Sequence, residues 1–268
     1  MKRRNFIVKS IFALLGIFLL DIFWYEKFII QWTSFDLSHT DNKIKIIQLS
    51  DLHMKELKSF HKSIANKINQ ELPDLICFTG DSINNNRGLP VLNQFLDLIS
   101  KEIPKVVIMG NKEYAGKVDI DSYKSLFEKH NGNLLINESL KFSQAGRSLV
   151  IIGVDDYIGG HSDFTKASID YPNSEETVVL NHCPEYSDEI AVLNETQKIN
   201  IKLILSGHTH GGQITFLGKA FYKPGGSGRF LRGWYRLNDI RMYVSKGIGT
   251  KYIPVRVGCR AEATIFYV

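Results

Sequence analysis

Five short clusters of acid, amide and imidazole side chains punctuate the chain, each directly after an apolar run. They are Ser50-Asp51-Leu52-His53, Gly80-Asp81, Gly110-Asn111, Asn181-His182 and Gly207-His208-Thr209-His210-Gly211-Gly212. Asp51, His53, Asp81, Asn111, His182, His208 and His210 together form a nitrogen and oxygen donor set without a thiolate, which suits Mn, Fe or Zn better than Ca or Mg alone. Seven donors are too many for one catalytic metal that keeps a position open, and they suit two metals sharing a ligand. Taken singly, an Asp-x-His or a Gly-Asp is weak, since each is a common turn sequence. The double-histidine Gly-His-Thr-His-Gly-Gly is far more specific. His39, His61, His130 and His161 stand outside the pattern and read as surface residues.

The elements that must position these groups are short. Lys43–Leu49, Leu75–Thr79, Val106–Met109, Leu149–Gly153, Thr177–Leu180 and Leu203–Ser206 read as buried strands. Helix-like periodicity separates several of them, at Phe60–Glu71, Leu89–Lys101 and Tyr123–His130. The alternation predicts an α/β domain with a mainly parallel, helix-covered sheet. Arg241–Ser245 and Ala263–Val268 follow without helices and predict an antiparallel addition. In open α/β sheets the ligand crevice lies beyond the carboxyl ends of the strands, so all five clusters converge on one rim. The glycines in them are expected to supply positive φ and close backbone approach.

With 268 residues, 44% of them hydrophobic and 23% charged, the chain has room for one sizeable globular domain and is not of disordered composition. The net charge of +5 suits an anionic substrate or surface. No long basic stripe of the kind that tracks phosphates is present, which argues against nucleic acid as a partner. Cys77, Cys183 and Cys259 are odd in number and far apart, so no disulfide framework is expected, and Cys77 reads as a buried small hydrophobe.

Residues 1–34 read as a membrane anchor and residues 43–268 as the catalytic domain. Lys2, Arg3, Arg4 and Lys9 precede an uncharged stretch from Ser10 to Leu20, then Asp21, then Ile22 to Tyr25. The sixteen residues between Lys9 and Glu26 make roughly 24 Å of helix, short for a span. Trp24 and Tyr25 suit an interface. Arg3-Arg4-Asn5-Phe6 resembles a twin-arginine signal, but no small-x-small cleavage site follows, so the segment is expected to be retained. The positive-inside rule then puts the domain on the exported side.

The ordered set Asp-x-His, Gly-Asp, Gly-Asn, Asn-His and Gly-His-Thr-His resembles the calcineurin-like metallophosphoesterases over about Lys43 to Val268. Asn137-Glu138-Ser139, Gly153-Val154-Asp155-Asp156, Gly211-Gly212-Gln213 and Ser245 to Thr250 are similar to its bacterial branch with a membrane-anchor or twin-arginine leader. That branch includes hydrolases of UDP-2,3-diacylglucosamine in lipid A synthesis. The resemblance implies a four-layer α/β/β/α sandwich and two divalent metals. One would be held by Asp51, His53 and His210, the other by Asn111, His182 and His208, with Asp81 shared. It implies hydrolysis of a phosphodiester, phosphomonoester or pyrophosphate bond, with Asn111 and His208 close to the chemistry. The family commonly has histidine directly after Gly-Asn, and here Lys112 stands there, followed by Glu113. Lysine supplies charge to a phosphate but is a poor general acid unless its pKa falls.

Between Lys219 and Arg236 basic residues interleave with Phe221, Tyr222, Phe230, Trp234 and Tyr235 around Pro224-Gly225-Gly226, reading as a loop that grips a headgroup, a nucleotide or a membrane surface. A lipid-linked phosphate is therefore the expected substrate. Two alternatives stay open: a phosphodiesterase for soluble nucleotides, and a metal-binding scaffold whose turnover Lys112 has weakened.

Overall fold

Apolar runs such as Lys45–Leu49 form strands because their β-branched side chains pack on both faces, Ile46 toward one layer and Ile47 toward the other. The computed structural model describes residues 3–38, 42–144, 146–170 and 175–268. Its first strands are β1 (Gln31–Asp36), β2 (Lys45–Leu49), β3 (Leu75–Thr79), β4 (Lys105–Ile108), β5 (Gly132–Leu135), β6 (Glu138–Gln144) and β7 (Arg147–Gly153). There follow β8 (Thr177–Leu180), β9 (Ile201–Ser206), β10 (Thr215–Phe216), β11 (Lys219–Ala220), β12 (Gly233–Leu237), β13 (Ile240–Val244) and β14 (Glu262–Tyr267). One six-stranded sheet has the order β1-β14-β2-β3-β4-β5 and the other β12-β13-β9-β8-β7-β6, while β10 and β11 pair alone.

The two large sheets pack face to face, with Ile46, Cys77 and Val106 meeting Ile151, Val178 and Leu205. Helices Ser59–Glu71, Leu89–Leu96 and Ile120–Glu128 cover the outer face of the first sheet through Ile64, Phe95 and Phe127. Helix Tyr186–Gln197 covers the second through Tyr186 and Ile190. The result is the four-layer α/β/β/α sandwich. The C-terminal strands are only partly antiparallel. The β12–β13 and β14–β2 pairs run antiparallel, but β13 joins β9 in parallel and β14 joins β1 in parallel.

The N-terminal helix runs from Arg3 to Phe28, 26 residues or about 39 Å, and it is long and apolar enough to cross a membrane. Its Arg3–Leu20 part buries no residue on the domain. Its end is docked. Lys27 Nζ donates to the Pro254 carbonyl at 3.0 Å, Glu26 Oε2 accepts from the Cys259 N–H at 3.2 Å, and the Arg260 guanidinium lies 4.5 Å from the Tyr25 ring centre. Residues 31–34, grouped with the anchor on sequence, belong to β1 and pair with β14.

Two of the four outlying histidines are not surface residues. His61 packs between Phe60 and Phe95, and His130 is wholly buried. Both lie in segments with helical periodicity that turn inward. His161 is exposed, and Lys2 and His39 lie outside the described residues. The Lys219–Arg236 segment is also less of a free loop than expected. Phe230 is fully buried in the core beneath the second sheet, and Trp234 lies in β12 against Phe35 and Tyr243. Arg229 pairs with Asp188, and Arg232 donates to the carbonyls of Gly211 and Gly258. Phe221 and Tyr222 remain exposed.

Candidate metal centre

The carboxyl ends of β2, β3, β4, β8 and β9 bring all seven donors to one rim, and Asp81 stands at its centre. Asp81 Oδ1 lies 3.4 Å from His182 Nε2, and Oδ2 lies 3.6 Å from His53 Nε2. On the Oδ2 side, His210 Nε2 approaches Asp51 Oδ1 at 3.4 Å and His53 Nε2 at 2.9 Å. On the Oδ1 side, Asn111 Oδ1 is 3.0 Å from His208 Nδ1 and 3.4 Å from His182 Nε2. Two nests of donor atoms thus share one carboxylate, and Asp51, His53 and His210 are spaced to hold a cation, as are Asp51, Asp81 and His182.

Three of the four imidazoles have their tautomer set from behind. The His53 Nδ1–H donates to Asn84 Oδ1 at 2.6 Å and the His182 Nδ1–H to the Thr79 carbonyl at 2.7 Å, leaving Nε2 of each facing the centre. His208 is turned the other way. Its Nε2–H donates to the Gly225 carbonyl at 2.6 Å, so Nδ1 faces inward. Asn84 and Gly225 were not legible as partners, because nothing in their local sequence points across 31 and 17 residues to a histidine.

Burial lowers the pKa of His208 to about 4, aided by His182, and of His210 to about 3 despite the opposing Asp51 charge, so both keep a free lone pair at neutral pH. His182 goes the other way. Burial would lower it, but the adjacent Asp81 charge and hydrogen bond raise it to about 10. Asp81 is correspondingly held far below the usual carboxylate range, its burial being outweighed by His182, His53 and the Lys112 N–H. Two buried carboxylates, Asp51 and Asp81, face His53, His182 and His210 at 3.4 to 3.6 Å, and a divalent cation held between them would neutralise their charge. The donor set therefore fits the expected metals. Cys183 Sγ also lies near His182 and His208, but it donates to Asp156 Oδ2 at 3.2 Å, and burial pushes its thiol well up.

Backbone strain concentrates here. Asp51, His53, Asp81, His208 and His210 all have positive φ, between 47° and 71°, at a typical cost of about 1–3 kcal/mol each. The expectation that the glycines supply the positive φ holds for Gly80 but not for Gly110, whose φ is −117°. Gly110 is needed for room, since a Cβ there would lie 2.4 Å from both Asp81 N and Oδ1. Glu113 also escaped the sequence reading. Its buried carboxylate accepts from the N–H groups of Asp81, Ile83 and Gly110 at 3.0 to 3.1 Å, tying two donor loops together. Burial, and then the Asp81 charge, push its pKa up to about 8.

Residues 44–212 match the Metallophos family, the calcineurin-like phosphoesterases. The chain belongs to that family. Metallophosphoesterase YkoQ of Bacillus subtilis is 29% identical to it over 83% of this chain and 82% of its own length. YkuE of the same organism is 30% identical over 86% and 80%. The Bos taurus transmembrane protein with metallophosphoesterase domain is 30% identical over 83% of this chain, which spans about half of that protein. Among solved structures, TT1561 of Thermus thermophilus shares the fold at a TM-score of 0.52 and 13% identity, over 77% of this chain and 91% of that one. This metallophosphoesterase thus carries the family's fold together with residue groups able to hold divalent metals.

Proposed function

We propose that the protein is a membrane-anchored hydrolase that cuts a phosphoester or pyrophosphate bond with two divalent transition metals. Asp51, His53 and His210 would hold one, Asn111, His182 and His208 the other, and Asp81 both. The observation that carries this reading is the split of Asp81, one oxygen toward each nest of donors. When bound, the metals supply Lewis acidity that draws charge from phosphoryl oxygens and lowers the pKa of an attacking water. The protein's own residues orient the donors. Asn84, Thr79 and Gly225 fix the imidazoles and the Lys112 N–H holds Asp81 Oδ1 at 2.7 Å, so the donors are set in place before charge develops. Lys112 does not pair with Glu113, which faces inward. Its ammonium lies 5.7 Å from the Tyr252 ring centre beside the rim, where it adds positive charge for an anionic substrate.

A membrane-presented, lipid-linked phosphate is the substrate class we favour. An apolar cavity of about 530 Å³ opens beside Thr209 and His210, walled by Ile214, Phe221, Tyr222 and Ile253. Ile253 adjoins Pro254, to which Lys27 at the end of the N-terminal helix is bonded. Confinement of enzyme and lipid to one surface raises their effective concentration. The test is metal analysis and turnover of bis-p-nitrophenyl phosphate by full-length protein with Mn²⁺. About two ions per chain are expected, and Asp81→Ala should lose turnover along with at least one ion. One ion or none in the unaltered protein overturns the dinuclear reading, and two ions without turnover favour a scaffold.

A further inference from the structure

A second cavity, of about 370 Å³, shares Lys251 and Tyr252 with the apolar one and reaches His53. Lys55, Lys112 and Lys251 line it together with Asn84 and Thr250. The three lysines lie in the segments that follow β2, β4 and β13, so their meeting is a product of the fold. None has a carboxylate within 4.0 Å among the described residues, whereas Lys45, Lys67 and Lys246 hold carboxylates at 2.5 to 2.8 Å. Lys112 and Lys251 share one aromatic ring, with Nζ atoms 5.7 and 5.3 Å from the Tyr252 ring centre. Gathering like charges without counter-charge is unfavourable, and more so beside low-dielectric walls.

The arrangement is also held in place. Tyr252 has a φ of 59°, in the left-handed region. Its loop is clamped by Gln213, which accepts from the Lys251 N–H at 2.7 Å and donates to the carbonyls of Lys251 and Ile253 at 3.0 and 2.8 Å. Gln213 directly follows the His210–Gly212 turn. Asn84, which accepts from His53 through Oδ1, also lines the cavity.

We infer that Lys55, Lys112 and Lys251 form a subsite for a second anionic group on the substrate, a phosphate distinct from the one under attack. The inference rests on the phosphoesterase reading and deepens it. The preferred substrate carries two phosphates, the reacting one at Asp81 and the other in the lysine cleft.

Two pairs of probes test this on the full-length, Mn²⁺-loaded chain. The first is thymidine 5′-(p-nitrophenyl phosphate) with and without a 3′-phosphate. The second compares the p-nitrophenyl ester of adenosine 5′-monophosphate with that of the 5′-diphosphate. In at least one pair the extra phosphate should lower KM about tenfold, as modest contributions from several partly exposed ion pairs would give. That advantage should shrink in high salt. It should fall to near one in the Lys55→Gln/Lys251→Gln variant, whose melting temperature confirms folding. No advantage in either pair, or an advantage that survives the double substitution, overturns the subsite. Absence of turnover for all four probes would instead strike the phosphoesterase reading itself.

Discussion

Glu113 Oε2 accepts the backbone N–H of Asp81 at 3.1 Å, so the carboxylate at the middle of the donor cluster is held by a buried acid 32 residues away. Because Glu113 also accepts from Ile83 and Gly110, it fixes the loop after β3 against the loop after β4. Glu113→Ala would leave the N–H groups of Asp81, Ile83 and Gly110 without this acceptor. Stability should fall by about 1–3 kcal/mol. Metal affinity should fall roughly 10–100-fold, the usual cost of losing an outer partner. Thermal melts and metal titration of the variant check both. An unchanged metal affinity would confine Glu113 to packing.

Gly110→Ala tests room rather than backbone conformation. The added Cβ would meet Asp81 N and Oδ1 at 2.4 Å and His182 Cε1 at 3.0 Å. Overpacking of this kind costs about 1–3 kcal/mol. Because the displaced atom belongs to the shared carboxylate, metal stoichiometry should drop with stability. A variant that melts as the unaltered protein does and binds two ions would show that the loop yields freely.

His61 predicts a pH dependence unrelated to the metals. Its Nδ1 accepts the Lys58 N–H at 3.0 Å, and burial, then the Lys58 charge, lower its pKa to about 4. An unfolded histidine takes up a proton near pH 6.5, so between pH 6.5 and 4 the unfolded state binds more protons. The stabilising contribution is therefore complete above pH 6.5 and lost as pH falls toward 4. Between pH 7.5 and 5 the loss should be roughly 2 kcal/mol. Urea unfolding at these two pH values, with His61→Gln as reference, isolates it, because the metal-centre histidines contribute to both proteins. Equal pH slopes in the two proteins would refute it.

The place of truncation should matter. Removing everything before Asn42 deletes β1, with Trp32 from the outer core and Phe35 from its contacts with Trp234, Tyr243 and Phe266. Loss of the half-buried Phe35 ring alone should cost up to about 3 kcal/mol. A form beginning at Trp24 keeps β1 and the Glu26 and Lys27 contacts. It should melt close to the full-length protein, while a form beginning at Asn42 melts far lower. The Trp24 form should hydrolyse a soluble diester at the full-length rate and a lipid phosphate in mixed micelles more slowly. Equal lipid turnover would remove the case for a membrane-presented substrate.

The sequence by itself determined which acid, amide and imidazole side chains stand at the strand ends, and in what order. A short apolar run ending in Asp-x-His or Gly-His-Thr-His is a local pattern, and strand ends in an α/β sheet share one rim whatever the loops between them do. It also determined the apolar N-terminal helix, because hydropathy over 20-odd residues needs no tertiary information. Tertiary structure alone decided which ring nitrogen faces inward. That depends on Asn84, the Thr79 carbonyl and the Gly225 carbonyl, brought from other elements. It decided that His61, His130 and Phe230 are inside, since charged neighbours in sequence do not reveal which face of an element turns to the core. It decided that β1 closes the sheet beside β14, a pairing between residues more than 200 positions apart. It also decided that Lys55, Lys112 and Lys251 share one cleft. Periodicity encodes burial within an element, but sheet order and loop path choose which elements meet, and those are properties of the whole packed chain.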